Sequence, residues 1–405
     1  MSRDIHFSPP TRANQHIMSG LRQHSGPIRT FVKPEEVDGP DVVITDLKYI
    51  GSYNWTNNET PTMIVPGSPP IWRERPLPFS VPPDPSSMFI EPDAHWLLMT
   101  PLYALLRAVG VVAEMNADPM DWRSVDLVTD RNCLRNLLRW CGGSGKKPRD
   151  FRIDLQLAGQ HTMLFSRFVT NYRHGVGAGV GQTYGFSFEN ESTIPAPGCE
   201  NSIEHARIVK YNLSGMNLVV RFEVDACLAS PAQSSTGVDD LASTMSDLSI
   251  SSDVHSDAIR GTGVNRGSSP NEPRIIRAGT QVPDDAIVEL ATRSETSPKP
   301  FDWANSYPQL FFSQTPHHFL AMHSAGHISH IIKHHIDDPD LREVKQRAQR
   351  GFKKLKRLLE DIQDIVIEKG KSSRLSLVYR QGTLALYERA SQGSYLPAHM
   401  LKQFD

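Results

Sequence analysis

Three stretches of the sequence place carboxylates on or beside what read as apolar strands. GFSFE ends at Glu189, FEVD carries Glu223 and Asp225, and VELATR carries Glu289. Strand side chains alternate with period two, so Glu223 and Asp225 are expected on one face, as are Glu289, Ala291 and Arg293. FEVD is flanked by NLVVRF and ACLA, and carboxylates are seldom placed in buried strands without a partner or a metal. Four of them meeting at the ends of neighbouring strands repel one another unless a cation neutralises them. Hard oxygen ligands of this kind suit Mg²⁺ or Mn²⁺ rather than zinc. Glu-x-Asp followed on a later strand by a glutamate is an arrangement used in metal-dependent phosphodiester hydrolysis, where ions activate water and stabilise the departing oxygen.

Other patterns carry less. The glycine run from Gly175 to Gly181 has Val180 where GxGxxG needs its last glycine and no long helix behind it, so it reads as a mobile loop over a cleft mouth. GGSGKK, Gly142 to Lys147, lacks the first glycine and the hydroxyl of a P-loop and reads as a turn. Seven histidines lie between His317 and His335, but an extended hairpin need not bring them together and no HExxH or cysteine accompanies them. Eight basic residues between Arg342 and Arg357 fit either a solvated helix face or a stripe that follows phosphates. The four cysteines, Cys133, Cys141, Cys199 and Cys227, are too scattered for a disulfide framework or a zinc half-site.

The elements that must position the acids follow from periodicity. With 405 residues the chain is long enough for one large core. A net charge of −2 excludes a global polycation, so any nucleic-acid contact must come from a local patch. Residues 1–40 are polar and Pro-rich and are expected to form a disordered arm. Strands are predicted from Val42 to Trp55, over VDLVTD, over FRIDLQLAGQHTMLFSRF with a turn at Gly159, over a hairpin turning at Ser214 and Gly215, and over AIVELATR. A helix is predicted over 93–112, and another over RNCLRNLLRWC with Asp130 as its cap. The only stretch apolar enough to suggest a membrane span, Trp96 to Ala113, is interrupted by Pro101 and Arg107 and reads as a buried helix. Residues 228–275 are rich in Ser and Asp and nearly free of aromatics, a disordered insertion between two strands of one domain. PQLFFSQ is an apolar segment, a His-rich hairpin follows it, and a long amphipathic helix from Asp340 to Glu368 and two strands close the chain. The fold expected is α/β, one domain over 41–227 and 276–400 with a mixed sheet flanked by helices.

In this order of motifs the sequence resembles the DXO-type decapping exoribonucleases of the PD-(D/E)XK nuclease group. The family's arginine ahead of a helix looks like Arg131, its Gly-Φ-x-Φ-Glu like Gly185 to Glu189, its Glu-Φ-Asp like Glu223 to Asp225, its Glu-Φ-Lys like Glu289 to Ala291, and its glutamine like Gln314. The resemblance is clearest from about 125 to 330. It implies a PD-(D/E)XK-like core and hydrolysis at the RNA 5′ end, namely decapping, pyrophosphate release or 5′→3′ degradation, in the setting of mRNA quality control. It implies that Glu189, Glu223, Asp225, Glu289 and the Leu290 carbonyl hold Mg²⁺ or Mn²⁺, and that Arg131 and Gln314 contact the nucleotide end; Arg293, two residues beyond Ala291 and on the same face, is placed to bring a guanidinium to the substrate as well. It also implies a nuclear or cytoplasmic site and allows a 5′→3′ exoribonuclease partner, with neither DNA nor a membrane expected. One position departs. Ala291 stands where the family has lysine, so the alternative is a catalytically impaired RNA- or protein-binding pseudonuclease of the same fold.

Overall fold

The computed structural model describes residues 16–85, 89–97, 100–143, 148–170, 173–174, 182–229 and 272–405. The Gly175 to Gly181 run and most of the 228–275 insertion lie outside these residues, so the expectations for them have no structural counterpart here. In chain order the elements that matter are β1 (Arg29–Phe31), β2 (Ile44–Thr56), β3 (Thr62–Pro66), α1 (Pro92–Trp96), α2 (Tyr103–Asn116), β4 (Leu127–Asp130), α3 (Arg131–Trp140), β5 (Phe151–Ala158), β6 (Thr162–Arg167), α4 (Gly185–Ser192), β7 (Ser202–Leu213) and β8 (Met216–Glu223). They continue with β9 (Ala226–Cys227), β10 (Arg274–Ala278), β11 (Ile287–Ser294), α5 (Trp303–Ser313), β12 (His317–Ser324), β13 (His327–His335), α6 (Arg342–Lys369), β14 (Leu375–Arg380) and β15 (Thr383–Glu388).

The strands form two large mixed sheets where the sequence suggested one. The first has eleven strands in the order β1-β15-β14-β5-β6-β4-β8-β7-β2-β3-β10. The second has seven, with β9, β11, β12 and β13 at its centre and two-residue pieces at its edges. In the first sheet β7 and β8 form the hairpin read from the sequence, paired from Ala206↔Glu223 to Leu213↔Met216. Ser214 and Gly215 both take positive φ, 46° and 104°, as a two-residue turn of this kind requires. The chain passes from β8 into β9, and so from one sheet to the other, through Val224 and Asp225.

Each face of the larger sheet is covered. On one side α3, α5 and α6 bury Leu134, Leu137, Phe312, Phe352, Leu355 and Leu359 against Leu218, Val220 and Phe222 of β8. Full burial of such side chains contributes about 1.5–3 kcal/mol each. Phe311 of α5 stacks on Phe352 of α6 with centroids 4.2 Å apart, which fixes the two helices against each other. On the other side α2 packs Leu105, Leu106, Val109 and Val112 against β2. It comes so close that a Cβ on Gly51 would stand 3.2 Å from the Val109 backbone.

Several expectations are corrected. The helix over 93–112 is two helices, α1 and α2, because Pro101 cannot continue a helical ladder. The disordered arm expected over 1–40 is not found from residue 16 on, and residues 1–15 lie outside the described residues. From residue 16 the chain lies on the core, with Ile17, Met18 and Leu21 buried against Val378 and β1 paired to β15. PQLFFS is helical, not merely apolar. Asp302 caps α5 by accepting from the Asn305 N–H at 3.2 Å, a capping aspartate followed by a polar turn. Asp130 precedes α3 but makes no capping hydrogen bond, because its carboxylate is taken by Arg221. Among the described residues no helix is long and apolar enough to cross a membrane.

Candidate active site

Glu223 is the last residue of β8, Asp225 lies in the two-residue link to β9, and Glu289 sits in β11. Asp225 is tied to β11 directly, because its Oδ2 accepts from the Leu290 N–H at 2.8 Å. Glu189 arrives differently. GFSFE is not a strand but the start of helix α4, which packs on β11 and is held at its first turn by Asp84, whose Oδ1 accepts from the Ser187 N–H at 2.8 Å. A five-residue alternation cannot distinguish strand from helix, and the deciding contact comes from a residue about a hundred positions earlier.

These four acids feel one another. Burial and then the charges of Glu223, Glu289 and Asp84 push Glu189 up to about 8. Asp225 is raised well above the usual carboxylate range by burial and then by Glu289, Glu189 and Glu223. Burial raises Glu223 as well, and Glu289 adds to the shift while Arg131 and Arg167 oppose it. Glu223, Asp225 and Glu289 line a cleft of about 430 Å³ together with Arg131, Arg135, Arg167, Glu204 and Gln309. Glu204 is a fifth acid, raised well above its usual range by burial and the charge of Glu223.

Two groups moderate this repulsion. Arg131, at the start of α3, donates to Glu289 Oε2 at 3.1 Å and to Ser313 Oγ at 3.4 Å, and lies over the Phe222 ring. Gln309 of α5 donates to the other Glu289 oxygen. Beneath them, Arg221 bridges Asp93 and Asp130, each at 2.6 Å, and donates to the Tyr53 hydroxyl at 2.9 Å. Tyr53 and Trp55 donate in turn to Asp93. A second pair, Arg167 with Glu91, closes one wall.

The donor chemistry fits a hard divalent cation, since Glu189, Glu223 and Asp225, raised first by burial and then by neighbouring carboxylates, are relieved by positive charge. Among the described residues no three His, Cys, Asp or Glu side chains already stand as a ligating set. Glu289 is engaged by Arg131 and Gln309, and Asp225 by the Leu290 N–H. A cation would be held by Glu189, Glu223, Asp225 and Glu289 only as those contacts are exchanged for it.

Not every residue named from the sequence reaches the cleft. Gln314 caps α5 with φ 51° and turns its amide back onto the Phe311 carbonyl at 2.6 Å, so the glutamine beside the acids is Gln309. Arg293 reaches the Ser297 carbonyl at 3.4 Å and does not line the cleft. Ala291 pairs with Leu320 of β12 and brings no charge. Sequence reading missed Gln309, Arg221, Arg167 and Glu204. Recognising α5 as a helix would have placed Asn305 and Gln309, four apart, on one face. An arginine inside LVVRFE demands a buried partner and was a signal for the Arg221 network.

Residues 31–404 match the family model described as a domain of unknown function, DUF8563. The chain belongs to that family. No curated protein matches this DUF8563 chain by sequence. Its fold is similar to that of Rai1 from Scheffersomyces stipitis in complex with (3′-NADP)+ and calcium ion, at 10% identity and TM-score 0.60 over 93% of this chain and 99% of that one. S. pombe Rai1 in complex with 3′-FADP is similar at 12% identity and TM-score 0.56 over 89% and 99%. Candida albicans Rai1 in complex with pU5-Mn²⁺ is similar at 11% identity and TM-score 0.53 over 93% and 99%. At such identities the likeness establishes the fold, and it is the mixed α/β fold of DXO-family structures that the motif order implied.

Proposed function

We propose that this protein is a divalent-cation-dependent hydrolase acting on RNA 5′ ends. The observation that carries the reading is the meeting of Glu223, Asp225 and Glu289, drawn from two sheets, in a cleft that Arg131, Arg135, Arg167 and Arg221 also line, with Glu189 of α4 near enough for its charge to raise Asp225. The Rai1 structures solved with pU5-Mn²⁺ and with nucleotides support it through their shared fold. A cation held by these acids and the Leu290 carbonyl would supply activation of water and charge neutralisation at phosphorus. Arg131 can turn its guanidinium from Glu289 to a phosphate oxygen, a pairing its planar fork suits. Gln309, freed by the same exchange, has its amide N–H beside the acids for a nucleotide oxygen. Buried arginines also draw the polyanion toward an otherwise acidic cleft. The same reading carries a 5′→3′ exoribonuclease as protein partner and a nuclear or cytoplasmic site.

Ala291 favours a second reading, in which the cleft binds RNA or a partner protein without turnover. The missing ammonium corresponds to a loss of about 10²- to 10³-fold in rate by the precedent of an oxyanion donor. Incubation of 5′-triphosphate RNA and capped RNA with and without Mn²⁺ separates the two. Mn²⁺-dependent hydrolysis by wild type that Glu223→Ala abolishes supports the enzyme, and hydrolysis only by Ala291→Lys supports the non-catalytic reading. Duplex DNA serves as the control substrate and is expected to be left intact.

A further inference from the structure

Helix α3 carries Arg131, Arg135 and Arg139 at four-residue intervals, which puts the three side chains in a row on one face with a rise of about 6 Å per step. The first two line the acid cleft, with Asn132 beside them. The row then leads away from the acids between α3 and α5, where Arg139 is fixed by Asn305 Oδ1 at 2.9 Å and by Asn136 Oδ1 at 3.2 Å.

Their surroundings differ. Arg131 has Glu289 and Arg139 has Asn305, but among the described residues no hydrogen bond or ion pair reaches the half-buried Arg135 guanidinium. Burial and the charges of Arg131 and Arg139 lower it to about 10, with Glu289 alone opposing. The basic face of α6 is the contrast. Lys345, Arg347, Arg350, Lys353, Lys354, Lys356 and Arg357 all stand beside a carboxylate of this chain, so that helix is a paired, solvated face. A partly desolvated guanidinium between two like charges is costly unless an anion completes it, and groups of this kind concentrate at functional sites.

We propose that Arg135 binds the backbone phosphate next to the reacting 5′ end of a single-stranded RNA, and that Arg139 takes the phosphate beyond it. The track begins at Arg131 in the acid cleft, its members are stepped along a rigid helix, and guanidinium forks suit successive phosphates of an extended strand. Arg135 would then decide how strongly the cleft prefers a chain of several nucleotides over a mononucleotide. This deepens the RNA reading above and rests on it.

Fluorescence anisotropy with the full chain in Ca²⁺, using 3′-labelled 5′-phospho-oligouridylates of two and five nucleotides, tests it, with UMP as unlabelled competitor. Arg135→Gln should weaken the pentanucleotide about tenfold or more, lower the salt slope by about one, and leave UMP competition unchanged. Arg139→Gln should act on the pentanucleotide more than the dinucleotide. Arg135→Lys should keep the salt slope, and Arg347→Gln should change nothing. Because no hydrogen bond or ion pair to Arg135 among the described residues is lost, urea unfolding of RNA-free Arg135→Gln should show stability equal to or above wild type, whereas a structural role would lower it. Equal losses for pentanucleotide and UMP, or no loss at all, overturn the track. Oligonucleotide binding that needs Arg135 without any turnover supports the track and removes hydrolysis, and wild type that binds no oligonucleotide overturns both.

Discussion

Replacing Glu189 by glutamine should stabilise the cation-free protein, and by an amount that grows with pH. Glu189 takes its proton at about 8 in the folded state against a usual 4.5, chiefly through burial and the charges of Glu223 and Glu289. A carboxylate raised in this way is harmless below 4.5, where folded and unfolded chains are both protonated. Between 4.5 and about 8 the folded state holds a proton the unfolded state has lost, and stability falls by about 1.4 kcal/mol per pH unit. From pH 4.5 to pH 7 this gives a ceiling of about 3 kcal/mol, and because Glu189 keeps part of its surface in water, screening brings the expected loss to about 2 kcal/mol. Above pH 8 the loss is complete and constant. Glutamine cannot ionise and escapes it. Urea unfolding followed by tryptophan fluorescence in EDTA at pH 5, 6, 7 and 8, extrapolated linearly to water, should show the Glu189→Gln gain rise with pH to about 2 kcal/mol at pH 7 and be larger again at pH 8. Adding Mn²⁺ at pH 8 should stabilise wild type more than the variant. A gain that is the same at every pH, or a loss that deepens as pH rises, would refute the crowding of these carboxylates.

Arg221→Met should destabilise by about 3–5 kcal/mol in the same urea measurement, because it strands Asp93 and Asp130 as buried charges and removes the donor to Tyr53. The loss should be smaller in acid than at pH 7, because burial raises Asp93 above its usual range and a protonated Asp93 needs no cation beside it. Gly51→Ala should lower stability by about 1–2 kcal/mol, since the new methyl pushes α2 off β2 at Val109. Unchanged urea midpoints would show that the helix yields freely there.

The motif order from Arg131 through GFSFE, FEVD and VELATR was legible because each piece is local. Alternation identified the strands at FEVD and VELATR but misread GFSFE, which is helical, and a charge inside an apolar run marks itself. The hairpin at Ser214 and Gly215 and the long helix α6 were legible for the same reason, being set by turn chemistry and a repeating apolar face. Local pattern failed where two environments compete for one residue. Asp130 looked like a helix cap, but the buried guanidinium of Arg221 is a stronger partner than a helix N–H that water can also satisfy. Gln314 looked like the site's glutamine, but a left-handed turn at the end of α5 points it back at its own helix.

By itself, the amino-acid sequence determined which carboxylates and arginines the molecule has to accommodate, the secondary structure around most of them, and the α/β class. Only the tertiary structure decided that the chain crosses from one sheet into the other at Asp225, that Glu189 enters on a helix, that Gln309 and Arg131 share Glu289, and that among the described residues no hydrogen bond or ion pair reaches Arg135. Those are contacts between residues tens to hundreds of positions apart, and which of them form depends on how competing burials and charges are resolved over the whole fold.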